Sequence, residues 1–167
     1  MRIFLIGFMG CGKTTAGKKL AQELKLGFID LDSFIEQKHS SKLSDIFEKQ
    51  GEKKFRQLEQ SALISILESD NIIVATGGGT PCFRNNMELM NNNGYTIYIN
   101  MTPEDLVKRL EKLSTSRPLL KNKTGKQLLD YISDTLTARE KYYLQSKSIV
   151  DGNNINIYEL VKLVWDG

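Results

Sequence analysis

The sequence has one histidine, His39, and only two cysteines, Cys11 and Cys82. This excludes a disulfide framework and a zinc site built from several His or Cys ligands, and it suits a reducing compartment. No apolar run approaches the ~20 residues that span a membrane. The opening stretch Met1 to Gly7 lacks a small-residue cleavage site and runs directly into a glycine-rich loop. It reads as a buried strand and not as a signal peptide. The expected location is the cytoplasm, with no membrane partner. The net charge of +3 is too small an excess to argue for a nucleic-acid partner. Arginine is also scarce: Arg2, Arg56, Arg84, Arg109, Arg117 and Arg139 are the only six among 23 basic residues. Where lysine supplies the ordinary surface charge, each arginine becomes a candidate for planar, two-pronged anion recognition. Arg2 and Arg84 are read as plain surface residues.

What the chain does contain is one domain's worth of sequence, 167 residues, at roughly 100–200 residues per domain. Its 40% hydrophobic and 26% charged residues are too apolar for disorder and sufficient for a core. Short apolar runs alternate with longer helical patterns. Strands are expected at Ile3 to Ile6, Phe28 to Asp32, Ile72 to Ala75, Tyr95 to Ile99 and Ser148 to Val150. Helices are expected at Lys13 to Leu24, from about Ser33 to Ser69 with breaks near Ser40 and Gly51, from Pro103, from Lys126 to Ser146, and from Ile157 to Trp165. Asn91-Asn92-Asn93-Gly94 reads as a helix end and a turn. The alternation implies an α/β fold, a three-layer sandwich with a five-stranded parallel sheet flanked by helices. Ligands of such sheets bind beyond the carboxyl ends of the strands. Three segments fall there: the loop after Gly7, the pair Asp30 and Asp32, and the run Gly77-Gly78-Gly79.

The loop Gly7-Phe8-Met9-Gly10-Cys11-Gly12-Lys13-Thr14 matches G-x-x-x-x-G-K-[ST] in full. In that motif, glycines let backbone N–H groups turn around phosphate oxygens, and the following helix aims its positive end at the same anion. Lys13 is expected at the β- and γ-phosphates and the Thr14 hydroxyl at Mg²⁺. A complete match arises by chance on the order of once in a hundred such sequences or fewer. Nucleotide binding is therefore the working assumption, with ATP across Gly10 to Thr15. The acceptor remains open between water, a protein and a small molecule.

Asp30 and Asp32 are expected to project from one face of a strand, one toward the Mg²⁺ shell and the other toward an acceptor hydroxyl. A helix cap at Asp32 is the alternative, and it explains one aspartate only. The glycine run reads either as a flexible turn or as backbone closely approached by a ligand. Arg56, with Glu59 one turn on, and Arg139 read as surface ion-pair residues or as ligands of a carboxylate. Cys11, at a helix N-terminus, is expected to react with thiol reagents and to be protected by ATP.

Taken in order, these residues resemble the shikimate kinase family, a small branch of the P-loop kinases. The resemblance spans nearly the whole chain: Gly7 to Thr14, Asp30-Leu31-Asp32, Phe47 with Gly51 to Arg56, Thr76 to Gly79, Arg117-Pro118-Leu119-Leu120, and Arg139 with Tyr143. It implies transfer of the ATP γ-phosphate to the 3-hydroxyl of shikimate by a single domain over residues 1–167. An acceptor-binding helical region at about 33–61 and a lid at about 111–125 come with it. Asp32, Arg56, Gly78 and Arg139 would bind shikimate, together with Gly77, Gly79 and the ring of Phe55. Thr14 and Asp30 would hold Mg²⁺, Arg109 would meet adenine, and Arg117 would meet the transferring phosphate. Lys13, Asp32 and Arg117 are the expected catalytic residues, and a monomer is the expected state. A polyol kinase or nucleoside monophosphate kinase is the nearest rival, and a nucleotide-switched binding module is a rival of another class.

Overall fold

The computed structural model describes residues 1–112 and 125–166. Five strands form one fully parallel sheet: β1 (Arg2–Ile6), β2 (Gly27–Asp30), β3 (Ile72–Ala75), β4 (Tyr95–Asn100) and β5 (Ser148–Asp151). The spatial order is β2-β3-β1-β4-β5. The connecting helices are α1 (Lys13–Leu24), α2 (Leu31–His39), α3 (Leu43–Ile66), α4 (Asn86–Asn93), α5 (Pro103–Lys112), α6 (Gly125–Tyr143) and α7 (Ile157–Asp166). A single 3₁₀ turn, Thr80–Cys82, follows the glycine run.

The period-2 alternation of strand side chains divides the core in two. Ile3 and Leu5 of β1 face one layer with Ala16, Leu20, Leu106, Leu110, Ile132 and Leu160. Phe4 and Ile6 face the other with Ile35, Ile46, Leu63, Met90 and Tyr143. A sheet covered on both faces needs apolar strands throughout, hence the uninterrupted run Ile3 to Ile6.

The helical stretch from Ser33 to Ser69 breaks where expected. Ser40 ends α2 in the left-handed region. Gly51, at φ 76° and ψ 168°, interrupts α3, so that the segment carrying Arg56 leaves at a new angle. The second strand is shorter than expected: it stops at Asp30 and Leu31 already belongs to α2.

Strand order places the site. β3 lies between β2 and β1, and the register aligns Asp30 with Ala75 and Ala75 with Leu5. The chain leaving β3 therefore runs between the end of β2 on one side and the loop after β1 on the other. Thr76 holds this edge, with its backbone N–H and its hydroxyl donating to the Leu5 carbonyl at 3.1 and 3.0 Å.

At the opposite edge, the Arg2 guanidinium donates to the carbonyls of Leu67, Ser69 and Asn93 and pairs with Asp70 at 2.9 Å. It closes the C-terminal ends of α3 and α4 against β1. Gly94 joins α4 to β4 at that edge, and a methyl group there would lie 2.6 Å from the Arg2 carbonyl oxygen and 2.7 Å from the Phe4 ring. Backbone cannot yield as a side-chain tip does. Gly94→Ala is expected to cost roughly 1–3 kcal/mol through overpacking. The thermal midpoint should fall by several degrees, at about 2–4 °C per kcal/mol for a chain of this size. An unchanged midpoint in a calorimetric scan would show that α4 and β1 are less tightly apposed.

Candidate active site

The loop from Gly7 to Thr14 closes between β1 and α1. Gly10 and Gly12 adopt φ of 83° and 102°, a region that side-chain-bearing residues avoid, and α1 begins directly after Gly12. Lys13 folds back over its own loop and is only 8% exposed. Its Nζ donates to the carbonyls of Gly7 and Phe8, both at 2.8 Å. The loop borders a cleft of about 460 Å³, lined from this side by Met9, Gly10, Gly12, Lys13, Thr14 and Thr15. Asp30, Asp32, Thr76, Gly77 and Gly78 line it opposite, and Arg109 lies at its end. Arg109 donates to the Cys11 carbonyl at 3.1 Å and the Gly152 carbonyl at 2.7 Å, tying α5 to the phosphate loop and to the turn after β5.

Cys11 lies elsewhere than its expected chemistry requires. Its side chain is fully buried in the core beneath the loop, 3.7 Å from Lys13 Nζ. Its sulfur touches the underside of the loop at Lys13 and has no surface open to a reagent. Cys82 is the more accessible thiol, but burial pushes its pKa up to about 11 and keeps it protonated.

The two aspartates do not share a strand face. Asp30 ends β2 and caps α2, accepting from the Ser33 backbone N–H at 3.3 Å. Its other oxygen accepts from the Thr14 hydroxyl at 2.8 Å. Asp32 lies in the first turn of α2, so the cap is Asp30, and a helical turn directs the second carboxylate to the glycine run. The cap competes with strand continuation at Leu31, which a period-2 reading cannot detect. Asp32 is pushed up to about 6, first by burial and then by the negative charges of Asp30 and Glu59, with Lys13 opposing.

The glycine run is a close-packed seam. A methyl on Gly77 would lie 3.0 Å from Asp32 Oδ1 and 3.1 Å from Glu59 Oε1. On Gly78 it would lie 3.2 Å from Arg139 Nη1 and 3.4 Å from the Met9 backbone nitrogen. On Gly79 it would lie 2.7 and 2.9 Å from the two terminal nitrogens of Arg56. Three helices and the phosphate loop thus meet one backbone segment without side chains.

Arg56 is held from several directions. Glu59 accepts from Nη1 at 2.8 Å and Glu52 from Nη2 at 3.3 Å, both one turn away on α3. The Phe83 ring lies 3.8 Å from the guanidinium carbon. Glu59, 1% exposed, also accepts from the Thr80 hydroxyl at 2.7 Å. The spacing of Glu52 and Glu59 to Arg56 was readable as i,i+4 and i,i+3 pairs. Phe83 and Thr80 carry no such signal, because they reach the site from a 3₁₀ turn and the residue after it. Phe55 is 4% exposed and packs on Phe47 with ring centroids 4.3 Å apart. Its ring centroid lies 5.0 Å from the Arg56 guanidinium carbon, and the lining of the cleft beside the phosphate loop includes none of Phe55, Arg56, Gly79 and Arg139. Arg117, and residues 113–124 of the expected lid, lie outside the described residues.

A parallel sheet in this strand order, a complete phosphate loop, and a carboxylate and two arginines meeting at the neighbouring glycine run define a P-loop phosphotransferase with a small-molecule acceptor. A family model for shikimate kinase matches residues 9–165. A shikimate kinase of Azobacteroides pseudotrichonymphae is 47% identical over 149 residues, covering 89% of this chain and 88% of that protein. The crystal structure of shikimate kinase from Bacteroides thetaiotaomicron is similar at a TM-score of 0.90 and 38% identity, covering 99% of this chain and 95% of that one. Shikimate kinase from Acinetobacter baumannii, in complex with shikimate, is similar at a TM-score of 0.85 and 30% identity, covering 99% and 90%. The chain belongs to the shikimate kinase family.

The raised pKa of Asp32 has a consequence for stability. Its folded value, about 6, lies above the ordinary 3.8, so the folded state binds this proton more tightly than the unfolded state. Stability from this group therefore falls as pH rises from about 4 to 6 and stays lower above it. Asp32→Asn removes the buried charge and is expected to raise the unfolding free energy of the ligand-free protein at pH 7.5, by at most roughly 2–3 kcal/mol. The gain should shrink toward pH 4, where the wild-type carboxyl is protonated. A variant less stable than wild type at pH 7.5 would show that the Asp32 carboxylate is favourably paired.

Proposed function

We propose that the protein transfers the γ-phosphoryl group of ATP to the 3-hydroxyl of shikimate. The observation that carries this reading is the convergence of Asp32, Arg56 and Arg139 on Gly77–Gly79, beside the phosphate loop. Two guanidinium groups suit a carboxylate, which each can bind through paired N–H donors. A polyol acceptor offers no anionic group for either guanidinium to bind.

ATP lies along Gly10 to Thr15, its phosphates facing the loop amides and the start of α1, with Lys13 at the β- and γ-phosphates and Arg109 at the adenine end. Thr14 and Asp30 suit Mg²⁺, because a hydroxyl and a carboxylate 2.8 Å apart at the cleft wall are hard oxygen donors. Among the described residues no three acidic, His or Cys side chains cluster as a metal site. This fits an ion completed by phosphate oxygens and water. Bound there, it would neutralise phosphate charge.

Arg56 and Arg139 hold the shikimate carboxylate and aim the ring at Asp32. With a pKa near 6, Asp32 is ionised at neutral pH yet basic enough to take a proton. As the 3-oxygen bonds to the γ-phosphorus, the bond to the β,γ-bridging oxygen breaks. The hydroxyl proton passes to Asp32 and ADP leaves with the bonding pair. We further propose that the enzyme works as a cytoplasmic monomer. No described helix is long and apolar enough to cross a membrane.

A coupled ADP-release assay tests this. Release is expected to depend on shikimate and on Mg²⁺, with gluconate and nucleoside monophosphates inert as acceptors. A stronger response to gluconate would contradict the acceptor assignment. In the same assay, Asp30→Asn should need several-fold more Mg²⁺ for half-maximal rate, whereas excess Mg²⁺ should not restore Asp32→Asn. Rescue of Asp32→Asn would reverse the two roles.

A further inference from the structure

Tyr143 follows Arg139 by one turn of α6 and is fully buried. Its hydroxyl donates to the Gly78 carbonyl at 2.5 Å. A methyl group on Gly78 would meet Arg139 Nη1 at 3.2 Å, and the Met9 nitrogen and Gly7 carbonyl oxygen of the phosphate loop at 3.4 and 3.6 Å. α6, the glycine run and the phosphate loop thus meet at this glycine. The Tyr143 ring is fixed in turn against Tyr98, with centroids 5.0 Å apart. Burial pushes the phenol pKa upward, while the Arg139 charge opposes it. The hydroxyl is therefore neutral, with its one proton committed to the Gly78 carbonyl.

We propose that Tyr143 is a positioning residue for the acceptor carboxylate: its hydroxyl holds the Gly78 carbonyl, and so fixes the backbone against which the Arg139 guanidinium lies, before shikimate arrives. The inference rests on the reading of Arg139 as a carboxylate ligand. An arginine side chain has many rotamers, and ordering it on binding costs affinity that a pre-formed anchor saves. The same hydroxyl satisfies the Gly78 carbonyl, which would otherwise lose its donor.

Steady-state kinetics test the proposal. Tyr143→Phe is expected to raise the KM for shikimate about tenfold, the scale of leaving one buried carbonyl without its donor, and to leave the KM for ATP within about twofold. Tyr98→Phe removes a phenol from the same aromatic pair, whose hydroxyl donates instead to Asn100 at 2.9 Å. It should leave the shikimate KM within about twofold, which separates positioning from general loosening of the core. In an Arg139→Ala background, Tyr143→Phe should add less than about twofold, because coupled residues are not additive. Full additivity, or an equal rise in both KM values, would overturn the inference while leaving Arg139 as a ligand. An Arg139→Ala variant with unchanged shikimate KM would overturn the carboxylate reading and this inference together. A measurement on the unaltered protein stands apart from any folding defect. The Arg139 guanidinium N–H resonances, assigned by their loss in Arg139→Lys, should be sharp and resolved before shikimate is added, and rotationally averaged signals would refute the anchoring.

Discussion

A methyl group on Gly77, Gly78 or Gly79 would crowd a neighbour. Thr80, Asp32 and Glu59 press on the first, Arg139 and the phosphate loop on the second, and Arg56 on the third. The sheet order creates this crowding: β3 ends between β2 and β1, so the chain leaving it must thread between α2 and the loop that precedes α1. A side chain at any of the three would shift a polar or charged group or the loop itself. The three glycines therefore let charged side chains and the loop approach one stretch of backbone, whatever mobility they also confer.

Charge balance around this seam follows from burial. Glu59 is almost wholly buried and is satisfied by Arg56 and Thr80. Among the described residues Asp32 has no comparable partner, and burial, followed by the charges of Asp30 and Glu59, raises its proton affinity. One buried carboxylate thus orients an arginine, and its neighbour is left with the raised basicity that proton transfer needs. Asp30 is engaged by the Thr14 hydroxyl and by the Ser33 backbone N–H at the start of α2.

Much of this was legible in the residues. Apolar strands buried on both faces declared themselves as runs, and the phosphate loop is a contiguous motif whose geometry follows from its glycines. The break at Gly51 and the arginine-to-glutamate spacings on α3 could also be read directly. What the residues hid depends on neighbours brought together by the fold. Period-2 spacing put Asp30 and Asp32 on one strand, but the Asp30 cap begins a helix between them. Cys11 occupies a loop position that suggests exposure, yet its side chain turns into the core. Phe55 sits beside a ligand candidate and is core. The contact from Tyr143 to Gly78 spans 65 positions, which no local pattern can announce.

The most direct test of the seam is calorimetric titration of Gly79→Ala with shikimate and, separately, with a non-hydrolysable ATP analogue. The added methyl meets only the tip of the Arg56 side chain, which can swing away, so the fold should persist while the acceptor site is disturbed. Shikimate affinity is predicted to fall roughly tenfold or more, with nucleotide affinity within about twofold of wild type. Unchanged shikimate affinity, or equal loss of both ligands, would contradict the account.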